Sequence, residues 1–412
     1  MMSNLNSTPA GERIHIGLFG RRNAGKSSLI NALTGQQLAV VADVPGTTTD
    51  PVLKAMELLP LGPVLIMDTA GMDDTGELGA LRVQKSLQML NKTDIAILVL
   101  DSTMGITEDD IKLLQRIRDK ELACVAVFTK SDLVQEGNKT AADGLPDLIP
   151  STIPQISVSA ATGKNIRELK ELLAHIVPQK KAPYPICADL IGPGDTVLLV
   201  TPIDSAAPKG RLILPQQQTI RDIIDAGASA IVTRENNVIH ALEQLKNPPV
   251  MVITDSQAFG KVNRDVPRSI SLTSFSILMA RHKGNLEQAV MGVAALKGLQ
   301  DGDSILISEG CTHHRQCGDI GTEKLPKWIR EFTGKDFAFS WTSGTEFPTD
   351  LSPYRLIIHC GGCMLNEREM QYRYRCAADQ QVPMTNYGLC IAYTHGILKR
   401  SLSVFPDLAE KL

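Results

Sequence analysis

One motif near the amino terminus limits what this chain can fold into. It reads Gly20-Arg-Arg-Asn-Ala-Gly25-Lys26-Ser27 and lies between an apolar segment, Arg13–Gly20, and a helix-like pattern, Lys26–Leu33. A glycine-rich loop between a strand and a helix brings backbone N–H groups and the positive end of the helix close to phosphate oxygens. The motif therefore predicts a strand–loop–helix unit that binds nucleotide phosphates.

The rest of the chain divides into segments by its pattern. At 412 residues it is too long for one core, and about three domains are expected. Up to residue 178, apolar strands alternate with amphipathic helices, which predicts a mainly parallel sheet covered on both faces. A proline-rich stretch, Pro178–Pro185, is typical of a linker. The predicted fold is α/β: a P-loop domain at 1–178, a small α/β association module at 186–266, and a further α/β domain at 267–412.

Composition excludes several classes of protein. The net charge is -3, so no overall basic field attracts nucleic acid. The longest apolar run, Asp94–Leu100, is far too short to span a membrane, and the segment Met1–Glu12 is polar rather than a signal region. We expect a cytoplasmic protein that binds neither membranes nor nucleic acid.

Residues for phosphate and Mg²⁺ follow in the expected order. Lys26 is expected to reach the β- and γ-phosphates, and the Ser27 hydroxyl to ligate Mg²⁺. Asp68 follows the apolar strand Val64–Met67 and is expected in the second coordination shell of the Mg²⁺. Gly71 is expected to offer its N–H group to the γ-phosphate.

A threonine-rich stretch lies between the P-loop helix and the next strand. A threonine there closes on Mg²⁺ only when a γ-phosphate is present; Thr48 is favoured, with Thr47 second.

The base is predicted by Thr129-Lys130-Ser-Asp132. A carboxylate at Asp132 accepts two hydrogen bonds from guanine, whereas adenine lacks that pair of donors. Lys130 is expected to stack along the base, and Ser159-Ala160 to place an N–H group near guanine O6. The predicted GTP-binding residues are Asn23, Ala24, Gly25, Lys26, Ser27, Ser28, Asp68, Gly71, Thr129, Lys130, Asp132, Ser159 and Ala160, with Lys26, Thr48 and Gly71 in catalytic roles.

These motifs make the first segment similar to the Ras-like GTPases of the Era and MnmE branch, over roughly the first 175 residues. Thr129 departs from that branch, which usually has asparagine there. Met72 stands where Ras-like enzymes place a water-orienting glutamine, so the resemblance implies slow hydrolysis of GTP. In this branch an asparagine at the position of Asn23 accompanies K⁺ assistance, which makes K⁺ a candidate cofactor.

The cysteines form a second pattern. Cys311-Thr-His313 follows a predicted strand, Ser304–Ser308, and His359-Cys360-Gly-Gly-Cys363 begins where the strand Tyr354–His359 ends. Ligands of open α/β sheets gather beyond the carboxyl ends of the strands, so both halves are expected at one edge. Clustered cysteines in a reducing compartment more often bind metal than form disulfides.

Several occupants of this cysteine set stay open. Three thiolates suit a [4Fe–4S] cluster with one exchangeable corner, and three thiolates with one histidine suit Zn²⁺. Glu309, His313 and His359 are the candidates for the fourth position. Unligated, buried cysteines are a further alternative, and Cys124 is expected to be such a core residue.

The combination of a GTPase segment, a middle module and Cys-x-His…His-Cys-x-x-Cys resembles the [FeFe]-hydrogenase maturation GTPases, the HydF family, over the whole chain. The resemblance implies a scaffold that binds a [4Fe–4S] cluster through Cys311, Cys360 and Cys363. It also implies that the scaffold receives a two-iron precursor from the radical enzymes HydE and HydG and delivers it to the hydrogenase HydA. The middle module, 186–266, would form the homodimer.

Two other functions compete with this one. A ribosome- or RNA-associated GTPase would carry a zinc-stabilised carboxyl-terminal module. A redox sensor would use Cys360 and Cys363 as a dithiol.

Overall fold

The structure is a computed structural model that describes residues 8–35, 52–71, 83, 86–134, 149–177, 184–202, 212–310, 319–344 and 346–411. The chain forms two compact units, Met1–Lys180 and Lys181–Leu412. Across these described ranges, no helix combines the length and the apolar character that crossing a membrane requires.

The first unit contains one six-stranded sheet in the order β2-β3-β1-β4-β5-β6. β2 is antiparallel to β3, and the other neighbours are parallel. The strands are β1 Ile14–Phe19, β2 Val52–Leu58, β3 Gly62–Asp68, β4 Ile95–Asp101, β5 Ala123–Thr129 and β6 Gln155–Ser157. Three α-helices of this unit lie within the described ranges: Lys26–Thr34, Glu108–Asp119 and Ile166–His175. This arrangement confirms the predicted P-loop α/β fold.

The central strand β4 shows why the sheet is covered on both faces. All of its residues are buried. Ile95, Ile97 and Val99 belong to one core, and the alternate residues Leu98 and Leu100 belong to another. Successive strand side chains point to opposite faces, so a continuous apolar strand needs helices on each side.

The second unit contains two four-stranded sheets, both entirely parallel, in the orders β10-β9-β7-β8 and β12-β11-β13-β14. Their strands are β7 Thr196–Val200, β8 Ser229–Thr233, β9 Met251–Thr254, β10 Ser271–Ser274, β11 Ser304–Ser308, β12 Ala338–Thr342, β13 Leu356–His359 and β14 Met384–Asn386. The α-helices are Leu214–Asp225, Val238–Glu243, Phe259–Asp265, Phe275–Lys283, Leu286–Val293, Leu325–Thr333, Glu367–Asp379, Tyr387–Thr394, Leu398–Ser401 and Pro406–Ala409. One hydrophobic core includes residues of both sheets, such as Val252 and Ile358.

The structure adds strands that the pattern did not predict. β10, Ser271–Ser274, completes the middle sheet and lies beyond the predicted end of the middle segment at residue 266. It is short and contains one apolar residue, Leu272, so its sequence gives almost no strand signal. β12 and β14 were also missed. Of the predicted linker 178–185, only residues 184 and 185 are among those described.

Cys124 and Cys187 both lie in the core of the structure. Cys124 is buried in β5, which confirms its expected packing role. Cys187 is fully buried in a core cluster of the second unit.

Candidate functional site

The phosphate loop connects β1 to the helix Lys26–Thr34. Asn23 and Gly25 both have left-handed backbone angles, with φ of 58° and 91°. A Cβ atom on Gly20 would lie 2.3 Å from the carbonyl oxygen of Val99, so only glycine fits there. The Lys26 ammonium donates to the carbonyls of Gly20 (3.0 Å) and Arg21 (2.7 Å), which places its charge inside the loop.

The residues predicted for Mg²⁺ and the γ-phosphate lie beside this loop. The Ser27 hydroxyl donates to Asp68 Oδ2 at 2.8 Å. Burial raises the pKa of Asp68, while the Ser27 hydrogen bond and the Lys26 charge oppose that shift. A Cβ on Gly71 would lie 2.7 Å from the backbone nitrogen of Arg22, so Gly71 packs closely on the loop. Thr47, Thr48 and Met72 lie outside the described residues.

A cavity of about 710 Å³ lies where the guanine base was predicted. The predicted residues that line it are Gly25, Ser28, Thr129, Lys130, Asp132 and Ala160. Ser159 is buried next to Ala160, and its hydroxyl accepts a hydrogen bond from the backbone N–H of Thr162 at 3.1 Å. Asn31 and Leu133, which were not predicted, also line the cavity. Asn31 follows Ser28 by three residues on one helix, a spacing that predicts a shared face.

Thr129 connects the base-binding strand to the phosphate loop. Its hydroxyl oxygen lies 2.6 Å from the carbonyl oxygen of Ala24 and 3.0 Å from that of Leu100. A hydroxyl has one proton, so it donates to one of these acceptors at a time, and the shorter contact is to the phosphate loop. The threonine therefore retains a link between the two motifs.

Sequence reasoning missed the carboxylate that holds Lys130. The Lys130 ammonium lies 2.6 Å from Asp101 Oδ2, and Thr103 donates its N–H and its hydroxyl to Asp101 Oδ1. Burial acts to raise the pKa of Asp101, but the hydrogen bonds from Lys130 and Thr103 outweigh it and hold that pKa below its usual value. The signal was present, because Asp101 is the only charged residue of β4 and lies at its carboxyl end.

A buried ion pair also fixes the phosphate loop. Arg21 Nε lies 3.2 Å from Asp110 Oδ2, and that carboxylate is almost inaccessible to solvent. Asp110 also accepts from Thr107 in the capping box that begins the helix Glu108–Asp119. The start of that helix and the loop are thus connected through one carboxylate.

The strands that precede the two cysteine segments in sequence are neighbours in one sheet. β11 and β13 are parallel, with Ser308 opposite His359. The Cys360 sulfur accepts hydrogen bonds from the backbone N–H groups of Gly310 (3.0 Å) and Gly362 (3.4 Å). Cys311, Cys317 and His313 lie outside the described residues, but Gly310 directly precedes Cys311 in the sequence.

His359 uses both of its ring nitrogens within the protein. Nε2 lies 2.9 Å from Arg373, and a guanidinium only donates, so Nε2 accepts. The proton is therefore on Nδ1, which donates to the carbonyl oxygen of Cys360 at 2.7 Å. Burial, together with the charge of Arg373, lowers the pKa of His359 to about 3. In this arrangement His359 supports the turn formed by Cys360–Cys363, called the cysteine turn below. Neither of its ring nitrogens has a lone pair left to bind a metal.

Arg373 is itself fully buried. It pairs with Glu369 at 2.9 Å and also donates to Ser308 and to the carbonyl of Gly344. The positive charge of Arg373 is thus compensated by Glu369 on the same helix, Glu367–Asp379.

Glu309 is also engaged. Its Oε1 atom accepts a hydrogen bond from the buried Tyr387 hydroxyl at 3.1 Å. A Cβ on Gly321 would lie 2.3 Å from that hydroxyl and 2.6 Å from the carboxylate, so glycine is needed there. Glu309 is therefore held in a tight, buried pair next to Gly310.

Cys363 ends the turn. Burial raises the pKa of its thiol, and the positive charge of Lys283 opposes that shift. Among the residues that the structure describes, no three His, Cys, Asp or Glu side chains converge on a metal position. Cys390 is fully buried and Cys376 half-buried.

Comparison with known proteins adds the family. Residues 15–130 match the family model of the 50S ribosome-binding GTPase, 186–284 match the hydrogen maturase F dimerization domain, and 287–404 match the hydrogen maturase F tetramerization domain. The chain belongs to the hydrogen maturase F family. It contains a GTPase domain, followed by the family's two oligomerization domains in its carboxyl-terminal part. The predicted family and the predicted GTPase are confirmed.

Curated relatives match about two-fifths of the chain. The tRNA modification GTPase MnmE of Desulfotalea psychrophila is 33% identical over 168 residues, 40% of this chain and 35% of that protein. GTPase Der of Heliobacterium modesticaldum is 34% identical over 178 residues, 41% of this chain and 40% of that protein. The chain thus spans two-fifths or less of the length of these relatives. A structure of an Aquifex aeolicus Era variant bound to GDP and aluminium fluoride aligns with a TM-score of 0.37 and 17% identity, over 61% of this chain and 97% of that one.

Proposed function

We propose that this chain is a GTP-hydrolysing scaffold that binds a [4Fe–4S] cluster and delivers a two-iron precursor to [FeFe]-hydrogenase. One observation supports the cluster most directly. The N–H group of Gly310, next to Cys311, donates to the sulfur of Cys360 at 3.0 Å. Gly310 and Cys360, fifty residues apart in sequence, are therefore adjacent at one sheet edge, as a cluster shared by Cys311 and Cys360 would require.

The chemistry of the donors fits an iron–sulfur cluster. Thiolates are the ligands of such clusters, and N–H groups directed at their sulfurs tune them. Cys360 accepts two such hydrogen bonds. Cys311, Cys360 and Cys363 would hold three irons, and the bound cluster would supply an exchangeable fourth corner.

The fourth corner would then be free of protein ligands from this side of the site. His359 already uses both ring nitrogens, and Glu309 is held by Tyr387. His313 stays a candidate from the sequence. A corner without a firm protein ligand suits a carrier, which must receive and release its cargo.

GTP would act through the loops rather than on iron. Lys26, Ser27 and Asp68 would hold the phosphates and Mg²⁺, while Thr48 and Gly71 would close only on a γ-phosphate. Hydrolysis would release those loops and change the contacts made with partners. K⁺ is a candidate aid at Asn23.

We assign the partners from the family. The chain would form a homodimer through its middle domain, receive the precursor from HydE and HydG, and deliver it to HydA in the cytoplasm. The domains would be the GTPase domain, 1–178, a dimerisation domain that begins at residue 186 and includes β10 rather than ending at 266, and a cluster domain that follows it.

The test is to purify the protein without oxygen and measure iron, sulfide and EPR signals. Cys360→Ala is expected to lose most of the bound iron. Cys376→Ala is the matched control, since both cysteines are half-buried, and it should keep the wild-type content. Equal iron in all three proteins would defeat the ligand assignment. Zinc in place of iron would instead support the ribosome-associated function, and a metal-free reversible dithiol would support the redox sensor.

A further inference from the structure

A buried lysine lies beneath the cysteine turn. Lys283 is only 5% exposed and is the last residue of the helix Phe275–Lys283. Lysine is rarely buried to this extent, because removing an ammonium group from water is costly unless partners compensate. Its position therefore calls for an explanation in terms of what it contacts.

Its ammonium group binds the main chain of the turn. Nζ donates to the carbonyl oxygens of Cys363 (3.1 Å) and Leu365 (3.3 Å). Leu365 in turn donates its N–H group to the carbonyl of Gly362 at 3.0 Å, which closes the turn. Lys283 thus donates hydrogen bonds to both ends of the segment Cys363–Leu365.

The helix that carries Lys283 is firmly placed. Its first turn is capped by the Ser274 hydroxyl, which accepts from the N–H group of Ile277 at 3.2 Å. That helix lies within the residues matched by the dimerization model, whereas Cys363 lies within those matched by the tetramerization model. The contact therefore joins the two domains of the second unit at the cysteine turn.

We propose that Lys283 is the positioning residue of the cysteine turn: it fixes the main chain at Cys363 and Leu365 and places its ammonium group beside the cluster. The effect of the charge rests on the proposed function, because that function supplies the cluster. The fixing of the main chain by Lys283 does not require iron.

The charge has a measurable consequence. A nearby cation stabilises the more negative, reduced cluster, and this interaction is strong where water is excluded. Replacing Lys283 by methionine, which has a similar length and no charge, should disfavour reduction about tenfold, equivalent to a fall of ~59 mV for a one-electron couple. Lys283→Arg keeps the charge and should lie closer to wild type.

The experiment compares wild type, Lys283→Met, Lys283→Arg and Lys335→Met after anaerobic reconstitution. Lys335 is the matched control, because it also donates to a main-chain carbonyl, that of Leu299 at 2.6 Å, in the same unit. Reduction potentials are measured by EPR-monitored titration, and cluster loss by its absorbance in the presence of a chelator. Lys283→Met alone should show the lower potential and several-fold faster loss. A wild-type potential and rate in that variant would overturn the proposal.

Hydrogen exchange of the iron-free proteins separates this inference from the proposed function. Residues 360–366 should exchange faster in Lys283→Met than in wild type or Lys335→Met. If wild type binds no iron, the proposed function fails, yet this difference would still support the fixing of the turn. Unchanged exchange over 360–366 would refute it, whatever the iron content.

Discussion

Thr129→Val tests how the base-binding strand controls the phosphate loop. Thr129 is 2% exposed, and its hydroxyl lies 2.6 Å from the carbonyl oxygen of Ala24. Valine has nearly the same shape but cannot donate, so the substitution removes one hydrogen bond and leaves little empty space. The change therefore isolates the link between the two motifs.

The magnitude follows from that lost bond. A buried hydrogen bond contributes about 1 kcal/mol, and leaving its acceptor unpaired costs about 1–3 kcal/mol. The added methyl group recovers up to ~0.8 kcal/mol of apolar burial. A net loss of about 1 kcal/mol at the loop corresponds to roughly fivefold weaker nucleotide binding, since 1.4 kcal/mol is tenfold.

Isothermal titration of the full chain with GDP and Mg²⁺ measures this effect. Thr129→Ser is the matched control, because it keeps the hydroxyl and should bind within about twofold of wild type. GDP affinity in Thr129→Val equal to that of wild type would refute the reasoning. Equal weakening in the serine and valine variants would do so too, because it would attribute the effect to shape rather than to the hydrogen bond.

Three further substitutions have defined outcomes. Gly71→Ala forces a Cβ to within 2.7 Å of the Arg22 nitrogen, so single-turnover GTP hydrolysis should fall roughly tenfold, as overpacking of 1–3 kcal/mol implies. Burial raises the folded pKa of Asp68 above 3.8, so the wild type loses stability as pH rises through that folded value. Asp68→Asn has no carboxyl group to titrate there and lacks this loss. Urea unfolding without nucleotide should therefore give a higher free energy of unfolding for Asp68→Asn than for the wild type at pH 7, but not at pH 3. Arg373→Met leaves Glu369 charged, buried and unpaired, and urea unfolding should show a loss of about 3–5 kcal/mol.

The phosphate loop and the strands of the first unit were predictable because their signals are local. An apolar run followed by Gly-x4-Gly-Lys-Ser indicates a strand, a loop and a helix without any knowledge of distant residues. β10 shows the opposite case, since it is a strand because β9 pairs with it rather than because of its own residues.

The cysteine turn shows the same division within one site. Its position was predictable, because parallel strands that end at His359 and Ser308 share an edge. The hydrogen bonding of His359 was not predictable, because it depends on Arg373, which lies on a different element of the fold. Arg373 is fully buried, and a charged residue gives no sequence signal for such a position.

By itself, the order of residues determined the nucleotide class and the α/β architecture, because both depend on short spacings along the chain, and it predicted which cysteines are candidate sulfur donors. Folding alone decided which charges support those groups: Asp101 for Lys130, Arg373 for His359 and Lys283 for the backbone at Cys363. Those pairs join residues 14 to 80 positions apart in sequence, and only packing removes the water that would otherwise weaken them.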